Sequence, residues 1–305
     1  MLMNDPIFRD EDKARAHIER SRWGDEPSCP HCGSLRVRKM GGRTQAGMFL
    51  CNDCRDKFTC RTGSVMERSH IPLHKWLLAI HLMCASKKGM SAKQMERMLG
   101  VTYKSAWFLC HRIRLAMESG DLSRFGEGGG IVEADETFIG WEPGSTGKNW
   151  PDKMKVLALV DRRTGKARTM VMDKITVASV TPILLENIAA EAHLMTDDAG
   201  QYRPMHRHFA SHRTTAHTRK QYVDLADRSV HSNTVEGYFS IFKRGMKGIY
   251  QHCSKRHLHR YAAEFEFRYN YRIKNGFDDR ARAVEGLKGI VGKRLTYRET
   301  VARAS

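Results

Sequence analysis

The amino-acid sequence predicts a multidomain α+β chain in which a small cysteine-rich unit and a helical segment precede a mixed α/β domain. Three observations carry that expectation. Two C-x-x-C pairs stand near the N-terminus. Residues 72–117 place apolar side chains at close to a 3.6-residue period. From residue 131 onward, short apolar runs that contain or end in acids alternate with amphipathic stretches.

With 305 residues the chain is long enough for two or three folding units, and an apolar content of 41% is ordinary for a folded protein. Charge narrows the partners. Lys and Arg number 52 against 34 Asp and Glu, a net +18, which favours DNA or RNA because neutralising phosphates releases condensed counterions. No apolar run reaches the roughly 18–20 residues needed to span a bilayer. The N-terminal stretch "MLMNDPIFRDEDKARAHIERSRW" starts with acids and has no apolar signal core. A soluble, cytoplasmic protein with no membrane partner is expected.

The eight cysteines fall into two kinds. Cys60, Cys84, Cys110 and Cys253 are scattered, as small buried hydrophobes of a reducing compartment are. "CPHC" and "CNDC" instead present Cys29, Cys32, Cys51 and Cys54 as two pairs separated by eighteen residues. Each two-residue gap lets one tight turn aim two sulfurs at one ion, and the spacer accommodates a hairpin, so the pattern predicts a structural Zn2+ in a zinc ribbon. A redox site is disfavoured because redox C-x-x-C motifs do not come as two matched pairs. Arg36, Arg38, Lys39 and Arg43 give the ribbon a basic face.

Next comes "PLHKWLLAIHLMCASKKG", with Leu73, Trp76, Leu77, Ile80 and Met83 on one helical face. In "SAKQMERMLGVTYKSAWFLCHRIRLAM" Ser91 caps one helix, Leu99-Gly100-Val101 ends it, and another runs from near Thr102 to Met117. Two helices joined by a short Gly-containing turn form a helix-turn-helix pattern, in which the front of the second helix reads a DNA groove. Lys104, Ser105 and Arg112 are the expected DNA contacts. Met90, Met95, Met98, Trp107 and Phe108 are assigned to the core.

After the Gly-rich "SGDLSRFGEGGG", the run "IVEADETFIG" sets Glu133, Asp135 and Glu136 into an apolar strand. Alternation puts Glu133 and Asp135 on one face and Glu136 on the other. An acid in mid-strand is costly unless positive charge meets it, which a divalent metal supplies; Glu133 is then placed to tune the site and Glu136 is a bystander. "KMKVLALVD" and "ARTMVMDKI" continue an antiparallel meander, "TVASVTPILLENIAAEA" is an amphipathic helix, and "HLMTDDAGQY" is a short strand ending in Asp197 and Asp198. Three strands, helix, strand, helix is the RNase H-like order. There, carboxylates from the first strand, a later strand end and a following helix converge on two Mg2+ ions. "HSNTVEGYFSIFKRGMKGIY" supplies the third acid: a helix from near Thr234 aligns Glu236 with Lys243, the latter facing a phosphate. Each acid alone reads as an ordinary solvated group. Their occurrence in that order decides between the readings.

These stretches together resemble the bacterial insertion-sequence transposases that combine a zinc ribbon, a helical DNA-binding segment and a DDE-type, integrase-like catalytic domain. The resemblance rests on "CPHCGS", "FTCRTGSVMERSHIPLHKWLLAIHLM", "SKKGMSAKQMERMLGVTYKSAWFLCHRIR", "GGIVEADETFIG", "LMTDDAGQY", "HSNTVEGYFSIFKRGMKGIY" and "HLHRYAAEFEFRYNYR", most of residues 25–275. It implies Asp135 as the first catalytic carboxylate and Asp197 as the second, with Asp198 the alternative where relatives read T-D-E. For the third it implies Glu236, or its neighbour Asn233. Mg2+ is the implied catalytic ion, two per site, with Mn2+ in its place as a variant.

The expected organisation is a helical extension (1–24), the zinc ribbon (25–68), the helix-turn-helix segment (69–120), the RNase H-like domain (128–275) and a basic tail (276–305). The expected activity is cleavage at transposon ends and joining of the 3′-hydroxyl to target DNA. Lys243 and Arg244 would lie along the DNA. Double-stranded DNA, as terminal inverted repeats and as target, is the partner, with at least a dimer on DNA, at the nucleoid. The rivals are a DNA-binding regulator with an inactive catalytic domain, and a structure-specific nuclease or resolvase.

Overall fold

A computed structural model describes residues 4–142, 152–215 and 227–301. The chain divides into two compact units, Met1–Glu118 with Phe277–Ser305, and Ser119–Gly276.

In the first unit, α1 (Glu11–Trp23) starts at Asp10, whose carboxylate accepts the N–H groups of Asp12 and Lys13. The ribbon is an antiparallel sheet of β1 (Val37–Lys39), β2 (Met48–Cys51) and β3 (Lys57–Thr59), in that order. Its core is small and borrows from α1. Phe49 and Phe58 stack at 5.4 Å, and Trp23 packs edge-on against them at 5.4 and 5.8 Å.

α2 (Leu73–Ala85) follows, with Trp76, Leu77, Ile80 and Met83 buried as its period predicts. It has no side-chain cap of its own, and the Glu11 carboxylate of α1 accepts the N–H groups of Leu73 and His74 at 2.9 and 3.3 Å. α3 (Ala92–Leu99) is capped by Ser91 and ends at Gly100 in the left-handed conformation, φ +59°. α4 (Tyr103–Met117) is capped by Thr102. Met98, expected in the core, is 43% exposed.

The second unit holds β4 (Ile131–Ile139), β5 (Met154–Asp161), β6 (Ala167–Met172), α5 (Val177–Asn187), β7 (His193–Asp197), β8 (Ser211–Thr215), α6 (Asn233–Gly245) and α7 (Lys255–Asn270). The sheet order is β6-β5-β4-β7-β8. β4, β5 and β6 pair antiparallel, whereas β7 and β8 run parallel to β4. Side chains from both faces of the sheet enter cores. Val132, Ala134, Leu157 and Leu159 pack with Val180 and Leu184 of α5 on one side. Val156, Ala158 and Val160 pack with Val235, Phe239 and Phe242 of α6 and with Leu258 and Phe265 of α7 on the other. Covering on both faces explains why β5 reads as a near-continuous apolar run. This arrangement is the RNase H-like α/β organisation. β8 lies beyond the expected order: "SHRTT" has no apolar alternation because it is an edge strand, with two of its five residues exposed.

The chain then rejoins the first unit as α8 (Asp279–Lys288) and α9 (Tyr297–Val301). Ala283 and Leu287 are buried, and Arg282 donates to the Cys84 carbonyl at the end of α2. Residues 277–301 are therefore not merely a basic tail. No helix among the described residues is long and apolar enough to cross a membrane.

Candidate active site and cysteine metal centre

Each C-x-x-C pair of the ribbon ends in a turn that requires a positive φ just after its second cysteine, at Gly33 (+77°) and Arg55 (+63°). The turns bring Cys29, Cys32, Cys51 and Cys54 together so that their Sγ atoms all lie within 4.8 Å of one another. Cys29–Cys54 and Cys32–Cys51 are both 3.6 Å apart, close to the roughly 3.8 Å edge of a tetrahedron with 2.3 Å Zn–S bonds. Four thiols at this spacing form a structural zinc site. Of the basic residues on the ribbon, Arg36 pairs with Asp53 and Lys39 with Glu19, while Arg38 is exposed.

The acidic site is built around β4. β4 pairs with parallel β7 through Glu133 and Met195, so two residues further on Asp135 and Asp197 end side by side. α6 packs over the same end of the sheet and carries Glu236 in its first turn. A cleft of about 700 Å³ opens there, lined by Asp135, Glu136, Thr137 and Glu236, and rimmed by Phe239, Ser240, Lys243, Arg244, Lys247 and Gly248. Burial, then the charges of Glu136 and Asp197, push the Asp135 carboxyl up to about 8, and Glu236 adds to the effect.

Asp197 is half-buried at the strand end and accepts the Ala199 N–H, whereas Asp198 is exposed. Glu236 accepts the Ser232 hydroxyl at 2.9 Å. Asn233 is exposed and does not line the cleft. Glu136 is no bystander. It faces away from Asp135, as alternation requires, yet lines the same cleft, and its two oxygens accept from Gln201 Nε2 and the Tyr202 hydroxyl, each at 2.6 Å. Burial raises its pKa, with Asp197 adding to the rise. Lys247 also escaped the sequence reading, although it stands four residues beyond Lys243. At this point α6 passes into a π-helical turn, Met246–Tyr250, a form frequent at functional sites.

The helix-turn-helix residues divide. Lys104 is exposed, with its Nζ 4.5 Å from the Tyr297 ring centroid. Ser105 is half-buried in the cap of α4, its hydroxyl 3.0 Å from that of Thr102. Arg112, expected on DNA, is only 8% exposed and donates to the Leu295 and Glu67 carbonyls. It holds the unit together from inside.

Comparison with known proteins agrees with this layout. Residues 9–57 match the transposase zinc-ribbon domain, and residues 128–270 match the ISXO2-like transposase domain. An uncharacterized protein in transposable element ISH50 of Halobacterium salinarum is 26% identical over 284 residues, covering 88% of this chain and 93% of that protein. Among solved structures, a chain of the simian T-cell lymphotropic virus intasome in complex with PP2A regulatory subunit B56 gamma aligns at 12% identity and a TM-score of 0.29. That alignment covers 57% of this chain and 63% of the other. The chain thus carries, in order, a match to the transposase zinc ribbon and a match to the ISXO2-like transposase domain, and is similar along nearly its whole length to a protein of an insertion-sequence element.

Proposed function

We propose that this protein is a DDE-type transposase that hydrolyses a phosphodiester at each end of its element and joins the freed 3′-hydroxyl to target DNA. One observation carries the reading: Asp135 of the central strand and Glu236 of α6 share a cleft rimmed by Lys243, Arg244 and Lys247, with Asp197 at the adjoining strand end. Carboxylates from two strands and a helix are the hard oxygen donors that Mg2+, or Mn2+, takes. Asp135 sits buried among like charges, an arrangement that a divalent cation relieves. When bound, two such ions supply an activated water or hydroxyl and stabilise the leaving oxygen. The chain's own part is to hold the three carboxylates and to seat the DNA backbone on Lys243, Arg244 and Lys247 as phosphate contacts. No side-chain nucleophile is required.

Double-stranded DNA is the partner, as terminal repeats and as target, and a net charge of +18 supports it. The exposed front of α4 around Lys104 suits groove contact. Because element ends come in pairs, at least a dimer acts on DNA.

The test is strand transfer in Mg2+ with labelled DNA carrying the element's terminal repeats. Wild type is expected to give joined product. Asp135→Ala and Glu236→Ala should lose at least about a hundredfold, and Asn233→Ala should retain most of the activity. Binding without cleavage by the wild type would put a DNA-binding regulator in its place. Cleavage without joining would make it a nuclease or resolvase.

A further inference from the structure

α6 carries Glu236 but does not cap itself. Ser232, at its N-cap position, makes no side-chain cap bond. The first N–H groups of the helix are met from the sheet instead: Oε2 of Glu133 on β4 accepts from Thr234 N and Val235 N, each at 2.8 Å. The other oxygen, Oε1, accepts from Arg162 Nε at 2.5 Å. Arg162 in turn donates to the Ser229 and His231 carbonyls, at 2.6 and 2.7 Å, on the segment leading into α6. Glu133 is wholly buried, at 0% exposure, and does not line the cleft.

A carboxylate is taken fully out of water only at a large cost, which two N–H bonds, a guanidinium and the positive end of a helix offset here. The bond pattern also has a geometric consequence. Two successive N–H groups converging on one oxygen fix both the rotation of the helix and its height over the strand. Glu236 follows Val235 directly, and Asp135 lies two residues from Glu133. The link between the two cleft carboxylates is thus one short bridge of bonds.

We propose that Glu133 is the positioning residue of this site: its buried carboxylate sets the register of α6 on β4 and so fixes Glu236 opposite Asp135 at the separation that a cation needs. The inference rests on the reading of Asp135 and Glu236 as metal ligands.

Glu133→Gln, Glu133→Asp and Glu133→Ala in the full chain, with zinc in the ribbon, test it through two readouts that need no DNA. These are hydrogen exchange at Thr234 and Val235, and Mn2+ binding corrected by Asp135→Ala. Gln keeps an acceptor oxygen at the same reach and gives up the ion pair. It should melt lower than wild type yet keep amide protection and Mn2+ affinity within about threefold. Asp keeps the charge but withdraws it by one methylene. It should lose protection at both amides and bind Mn2+ at least about tenfold more weakly. Ala should resemble Asp where it folds; where it does not, the Gln and Asp pair decides. Asp indistinguishable from wild type, or Gln impaired as badly as Asp, would overturn the proposal. Should wild type itself bind no Mn2+ at this site and cut no DNA, the metal reading falls, and amide exchange alone decides whether Glu133 fixes α6.

Discussion

Asp135 combines a strand position with an environment that opposes its charge, and the combination has a measurable sign. Its ordinary value is 3.8, and burial followed by the charges of Glu136 and Asp197 takes it to about 8 in the fold. The folded chain therefore binds this proton more tightly than the unfolded chain. Between those two values stability falls as pH rises; the contribution is complete below about pH 4 and gone above about pH 8. Protein dialysed free of Mg2+, with its zinc retained, should melt lower at pH 8 than at pH 6, by a free energy on the order of a few kcal/mol. Added Mg2+ should raise the melting temperature more at pH 8. Equal melting at both values, with or without Mg2+, would mean that Asp135 is neither withdrawn from water nor crowded by like charge in the folded chain. The acids themselves were legible because an acid inside an apolar strand is conspicuous. Glu136 was misjudged because alternation tells which face a side chain takes, not that both faces open on one cleft at the strand's end. Arg112 was misjudged because nothing local announces that residues 67 and 295 supply carbonyls to its guanidinium.

At the level of elements, helix entry is where sequence signals and structure diverge. Ser91 and Thr102 cap α3 and α4 from one residue away, and both were readable. α2 and α6 are capped by glutamates from other elements, Glu11 from 62 residues away and Glu133 from 101, and no local pattern can reveal such a partner. β8 was missed for a related reason, since its pairing with β7 is a backbone matter that polar side chains do not advertise. The ribbon is the opposite case. Its spacing alone predicted the thiol cluster, although not that Trp23 of α1 closes its core. Cys32→Ser should abolish the single zinc per chain measured by atomic absorption, and should destabilise the ribbon by several kcal/mol. Full zinc content in that variant would show the metal to be held elsewhere.

Over the whole molecule, the division into units cuts across the order of the sequence. The first unit takes its last helices from beyond the mixed domain, a pattern hidden from any reading that assigns domains as consecutive segments. α8 reads as a short basic helix, yet Arg282 and Leu287 are among its buried residues. A chain stopped after Gly276 should lose cooperative unfolding of the helices α2 to α4, seen as a drop of several degrees in that transition, while the mixed domain's transition stays in place. Unchanged unfolding of α2 to α4 would make α8 dispensable. The same connectivity has a consequence during synthesis. The residues of α2 emerge from the ribosome long before their partner at 279–288, so the helical unit waits, incomplete, while the whole mixed α/β domain is translated. A newly made chain is thus expected to complete its mixed α/β domain first and to settle its helical unit only afterwards, when 279–288 has been made.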